Sequence, residues 1–219
     1  GTGTTLTMDM DGTQGELLRA SGNLHLNVFS FFSVDGSFAF SKTVETLKVL
    51  ETKGTVDVGD DETKDVAVDL LTVGAANVNA FAGMNGGTAD ALGLSLTGVD
   101  FALALAAEKT PAAGAAKRSW AALKAGADGA SFTGIEGMTI GAQSLDVEIN
   151  RSAADGSLVD YGTKPLDVST GPASSIALDM EASKGQLLRA SGTLDVNLFN
   201  FFSVNGSFAL EKSVGSVKV

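Results

Sequence analysis

Cysteine is absent from the 219 residues. Thiol catalysis, Cys-ligated metals and disulfide staples are therefore excluded. The chain has one histidine, one tryptophan, one tyrosine and three prolines. A lone histidine with no cysteine assembles no triad of the usual kinds, so no enzyme is expected. Basic residues are also scarce, with 15 Lys and Arg against 26 Asp and Glu, a net charge of −11 and a pI near 4.4. Nucleic-acid binders need clustered cations to replace phosphate counterions, and anionic membrane surfaces need the same. Neither partner is expected here. No apolar run approaches the ~18 residues that a spanning helix requires. Val99–Ala107 is short and interrupted at Asp100. With one Trp and one Tyr, the aromatic girdles of a membrane barrel are not expected either. No transmembrane segment is predicted.

What the chain has in abundance is itself. Shifted by 170 positions, residues 1–49 fall on 171–219 without a gap, and 25 of the 49 pairs are identical. The stretch from Gly15 to Ala39 lies on Gly185 to Ala209, including the blocks LLRASG and FFSV. A period this long is a domain-sized unit. Residues 1–170 therefore read as one full unit and 171–219 as the start of the next. A weaker likeness of Gly93–Ala107 to Gly137–Arg151 suggests three sub-repeats, about 1–65, 66–118 and 119–170.

The pattern within the unit is alternation. Leu24, Leu26 and Val28, then Leu145, Val147 and Ile149, then Leu194, Val196 and Leu198 are spaced by two. Period two means strands with one apolar and one polar face. Asx-Gly pairs at Asp35-Gly36, Asn85-Gly86, Asp155-Gly156 and Asn205-Gly206 suit hairpin turns. A tight hairpin is expected at Asp35-Gly36, with its copy at Asn205-Gly206. The expected fold is all-β: antiparallel hairpins in an elongated sandwich, a barrel or a curled sheet. Thr110-Pro111 opens an Ala-rich stretch that predicts one short helix near 111–123.

The second copy is an internal control on candidate chemistry. His25 becomes Asp195, so it reads as an exposed polar residue. Asp9/Asp179 and Arg19/Arg189 are kept, as a cross-strand ion pair would require, and Arg19 and Arg189 also suit the place where units meet. The aromatic elements Phe29, Phe31, Phe32 and Phe199, Phe201, Phe202 are the most distinctive feature. They are expected in the core, at a junction between units or in a groove. Asp57, Asp60, Asp61, Glu62 and Asp65 form the one acidic cluster that suits Ca²⁺, but a solvated loop is preferred. No catalytic residue, resident metal or cofactor is predicted.

Long acidic Cys-free repeats with blocks such as LLRASG and FFSVNGSFALEKS resemble the tandem repeats of giant bacterial surface or secreted proteins, adhesin-like in the broad sense. That resemblance implies an extracellular or cell-surface location, a structural spacer role, and neighbouring units of the same chain as partners. A fainter likeness to the amphipathic strands of AsmA/TamB-type proteins implies the alternative, an apolar β-groove holding lipid or another hydrophobic ligand. In that alternative the inward faces would include Phe101, Leu103, Leu105, Leu145, Val147 and Ile149.

Overall fold

A computed structural model describes Gly12, residues 16–51 and residues 61–214. Alternation becomes strand almost everywhere. Six strands run as an antiparallel meander: β1 (Leu18–Val28), β2 (Phe32–Glu51), β3 (Glu62–Met84), β4 (Leu92–Glu108), β5 (Ser119–Thr133) and β6 (Met138–Arg151). The chain then forms the short β7 (Leu158–Val159), the hairpin β8 (Leu166–Gly171) and β9 (Ser174–Leu178), and a 3-10 turn, Ala182–Lys184. It returns as β10 (Gln186–Leu198) and β11 (Phe202–Val214), which extend the same sheet in the order β1-β2-β3-β4-β5-β6-β10-β11. The fold is all-β, as expected. The strands are long, up to 23 residues, against a usual ~5–6.

The sheet curls. β7 pairs with β2 through Val49↔Val159 and Leu50↔Leu158. Asn150 Nδ2 on β6 donates to the Val159 carbonyl at 3.0 Å. β2 and β6 are four strand spacings apart, which would be about 19 Å in a flat sheet, yet both reach β7. Bulges help the bending. Register shifts interrupt the β2–β3, β3–β4 and β6–β10 ladders at mid-height, and extra residues of this kind increase local bend and twist. Asp100 and Asn79 accept from the freed amides of Asn77 and Gly98, at 2.7 and 3.1 Å. Among the described residues the outer edges of β1 and β11 carry no further strand, so the sheet is not closed into a barrel.

The β8–β9 hairpin fills one end of the hollow. It touches β1 through β5 on a single face, and with β7 and Tyr161 it forms the core. Val168, Leu178, Val159 and Tyr161 pack against Leu47, Val49, Val66, Val68 and Leu70, and against the small row Ala102, Ala104, Ala106 and Ala122. Small side chains let the hairpin come close. A Cβ on Gly74 would lie 2.2 Å from the Ser169 carbonyl oxygen, so only glycine fits there.

Three expectations are corrected. Residues 111–118 form no helix and Ser119–Thr133 is β5. Pairing with β4 overrides the weak helical signal, with Trp120 and Ala122 buried inward and Ala121 and Leu123 turned out. Asp35-Gly36 is not a turn, because β2 runs straight through it. The hairpin instead turns at Phe29-Ser30, both at positive φ (48° and 58°), where Asn27 Oδ1 accepts from the Ser30 amide at 3.2 Å. The copy repeats this at Phe199-Asn200 (54° and 55°), with Asn197 Oδ1 on the Asn200 amide at 3.0 Å. Finally, Phe101, Leu103, Leu105, Leu145, Val147 and Ile149 do not face inward. The register puts them on the convex side, while Ala102, Ala104 and Ala106 face the core.

Candidate functional surface

The two faces of the curled sheet differ sharply. Directly paired residues share a face, so the registers sort every regular ladder position. The convex face carries Leu24, Leu26 and Val28 on β1, Phe38 and Phe40 on β2, Leu94 and Leu103 on β4, Ile140 and Val147 on β6, Val196 on β10 and Phe208 on β11. Across all eight strands, every outward ladder residue in this band is aliphatic, Phe, Met, Ala or Gly. Towards the plugged end the band stops at a polar rim: Lys42, Asp69, Ser119, Arg151, Gln186 and Lys212. Many of these side chains are exposed, among them Leu24, Leu26, Phe40, Leu94, Leu105, Ile140, Leu194 and Leu210. On β1 the band is the whole strand, 11 residues.

Beyond the plug, the concave face is polar apart from Phe81, which stands between Ser33 and Ser95. His25 Nδ1 and Asp35 Oδ2 are 2.9 Å apart across β1–β2, and the copy has Asp195 opposite Asn205. The Ser37 hydroxyl donates to Asn23 Oδ1 at 2.7 Å, and its copy Ser207 meets Thr193 at 3.2 Å. Ser95, Thr97, Ser131 and Gln143 continue this lining.

At the end opposite the plug, the turns present phenylalanine to the outside. Phe29 is 89% exposed and Phe201 96%; Phe31, Phe32, Phe199 and Phe202 are exposed as well. The sequence expectation of core packing fails for all six. Phe29 and Phe199 also hold left-handed backbone, which is unfavourable by ~1 kcal/mol for a residue with a Cβ. Burial gives them little in return. Strain kept without a folding benefit points to duty at the surface.

The plugged end holds a charge cluster that no sequence signal marked. Arg118, after the β4–β5 loop, donates from Nη2 to Glu108 at 2.8 Å and from Nη1 to Glu51 at 2.7 Å. Its guanidinium stacks over Trp120 at 5.3 Å. The Trp120 indole donates to the Ser157 carbonyl at 3.0 Å. Hydrogen bonds from Lys64 and then Arg118 hold the Glu51 carboxyl below its ordinary range. Arg118 does the same for Glu108, and the two glutamates push the Arg118 pKa up. Three distant strand ends and the plug loop are thereby tied together. Their sequence separation hid them.

The remaining predicted residues are scattered. Asp179 does not meet Arg189: it pairs with Lys124 at 2.8 Å, while Arg189 pairs with Glu148 at 2.9 Å and Glu211 at 3.1 Å. Arg19 has no ion pair among the described residues, and Asp9 lies outside them. Of the acidic cluster, Asp57 and Asp60 lie outside the described residues. Asp61 precedes β3, Glu62 lies 3.7 Å from Lys64, and Asp65 pairs with Lys48 at 2.9 Å. Among the described residues no set of three His, Cys, Asp or Glu is grouped to hold a metal. A depression of about 790 Å³ near the rim mixes Asp69 and Arg151 with Leu71, Leu105 and Trp120. Those walls do not make an apolar groove.

Fold and surface together define an open, curled antiparallel sheet, apolar outside, polar inside and plugged at one end. Comparison with family models, with curated proteins and with solved structures finds no match.

Proposed function

We propose that this chain is a structural repeat module of a large bacterial cell-surface polypeptide, and that it builds the wall of a membrane-embedded β-sheet. The convex band lies against acyl chains, the concave face lines an aqueous interior, and the β8–β9 hairpin obstructs one end. The observation that carries this reading is the apolar character of every outward ladder position of the convex face between the phenylalanine tips and the polar rim. Eleven strand residues tilted by about 40° reach about 25–30 Å, the height of a hydrocarbon core, and ~9–11 residues are what a spanning strand needs. A soluble sheet would put its large side chains against the plug. On β4 the reverse holds: Ala102, Ala104 and Ala106 face the plug, while Phe101, Leu103 and Leu105 look outward. The spacer role expected from the sequence is kept, and the lipid of the alternative reading moves from an inner groove to the outside of the curve. The expectations of no transmembrane segment and no membrane barrel are set aside on the strength of the apolar convex band.

Vesicle flotation tests this. Chain diluted from urea into phosphatidylcholine vesicles is expected to float with them and to keep its strand content. Recovery as a folded monomer in the aqueous fraction would contradict the proposal and leave a soluble spacer.

A further inference from the structure

Open sheet edges are not tolerated in hydrocarbon, because their backbone groups find no water there. Even in water a bare edge invites pairing with another chain. Among the described residues this sheet has two bare edges, and the internal repeat specifies what fits each.

β10 is the second copy of β1. Within 17–28 and 187–198, eight of twelve residues are identical. β10 pairs along β6, with Leu188 opposite Ile149, Arg189 opposite Glu148, Thr193 opposite Gln143 and Leu198 opposite Met138. At the register shift between Ser191 and Thr193, Gly192 lies under a β6 side chain: a Cβ there would come within 2.7 Å of Leu145 Cδ2 and displace it. Gly22 is the same glycine in the first copy, yet a Cβ on it would meet nothing within 4 Å. A glycine inside a strand weakens it by roughly 0.5–1 kcal/mol relative to Ala. Among the described residues nothing requires Gly22 to be glycine. A Leu145 from another unit packed over it would. Arg19 agrees, since its copy Arg189 is clamped by Glu148 and Glu211 while Arg19 has no ion pair among the described residues.

The other edge shows the mirror image. Gly36 on β2 faces the β3 bulge, where its Cβ would lie 2.8 Å from Val78 Cα. Its copy Gly206 on β11 meets nothing within 4 Å. β11 lacks a β3.

We infer that the outer edge of β1 is a docking edge for β6 of a preceding unit, and the outer edge of β11 for β3 of a following one. The registers are those already present inside the chain. Leu18 then stands opposite Ile149 of the preceding unit, Arg19 opposite its Glu148 and Asn23 opposite its Gln143. Each unit adds six strands and one plug hairpin to a single unbroken sheet, and closure of the wall comes from unit number. The partner is a second copy of this chain's own repeat. The inference rests on the repeat and the registers and holds whether or not the convex face meets lipid.

The test compares the present chain with a tandem chain carrying an additional copy of residues 1–170 in front. Hydrogen exchange in detergent reports on residues 18–28. In the tandem chain the outward amides of β1 are expected to slow to the rates of β10, and exchange unchanged from the present chain would overturn the inference. Gly22→Val gives a second readout. It is expected to be harmless in the present chain, and in the tandem chain to restore fast exchange in β1, as Gly192→Val does in β10. Equal tolerance of Gly22→Val in both chains, with Gly192→Val disruptive, would refute the junction. Because both readouts concern edge pairing, they are independent of flotation, which reports on the convex face.

Discussion

At the scale of single residues, strain and charge say most about function. Phe29 combines a φ of 48° with near-complete exposure. Asparagine tolerates left-handed backbone far better. Phe29→Asn should therefore raise stability in urea melts without lipid by up to about 1 kcal/mol, while lowering the fraction that floats with vesicles. A melt that falls together with flotation would mean the ring serves folding instead. Arg118 acts at the opposite end. Arg118→Met leaves Glu108 without its cation while Lys64 still pairs with Glu51, and unfolding should become easier by about 3 kcal/mol. Both carboxyls have folded pKa values below the unfolded one. Their contribution is thus complete above the unfolded carboxylate range near 4.5 and is lost as pH falls through the lower folded values. Urea melts from pH 7 to pH 3 should show this loss in the native chain and less of it in Arg118→Met, where Lys64 still acts on Glu51.

Among the described elements, the conventional core lies at the plug. Tyr161, Val168 and Leu178 are almost wholly buried, whereas the far half of the sheet is a single layer. Tyr161→Ala should remove about 3–5 kcal/mol and release β7–β9, seen as fast hydrogen exchange over 158–178, with the β1–β2 and β10–β11 turns unaffected. The elements were mostly legible in sequence. Alternation such as Leu194-Asp195-Val196 marks strands whichever face is buried. The β5 segment was not, because Ala-rich composition around Trp120 mimics a helix, and only pairing with β4 decides the matter. The Phe29-Ser30 turn was missed because positive φ at phenylalanine goes against residue preference, whereas Asp35-Gly36 shows the usual signal in a place where a bulge on β3 uses it. Alternation shows that two faces exist. It does not show which one is concave, and large residues were wrongly taken to be the inner set.

For the molecule as a whole, curvature decides which face is inside, and the plug decides the curvature. The repeat was plain in the sequence, and its use is visible only in the ladders, where β10 shows what β1 lacks and β3 shows what β11 lacks. Plug at one end, phenylalanine tips at the other and an apolar wall between enclose a polar, cation-poor interior. The acidic balance of the chain falls on the rim, the loops and the concave face and leaves the convex band uncharged.

The most direct measurement exploits the absence of native cysteine. Single cysteines along β6, at Ile140, Ala142, Gln143, Val147 and Glu148, carry an environment-sensitive fluorophore in vesicles with brominated acyl chains. The account predicts strong quenching at 140, 142 and 147 and weak quenching at 143 and 148. Uniformly weak quenching along the strand, or quenching on the concave positions instead, would contradict it.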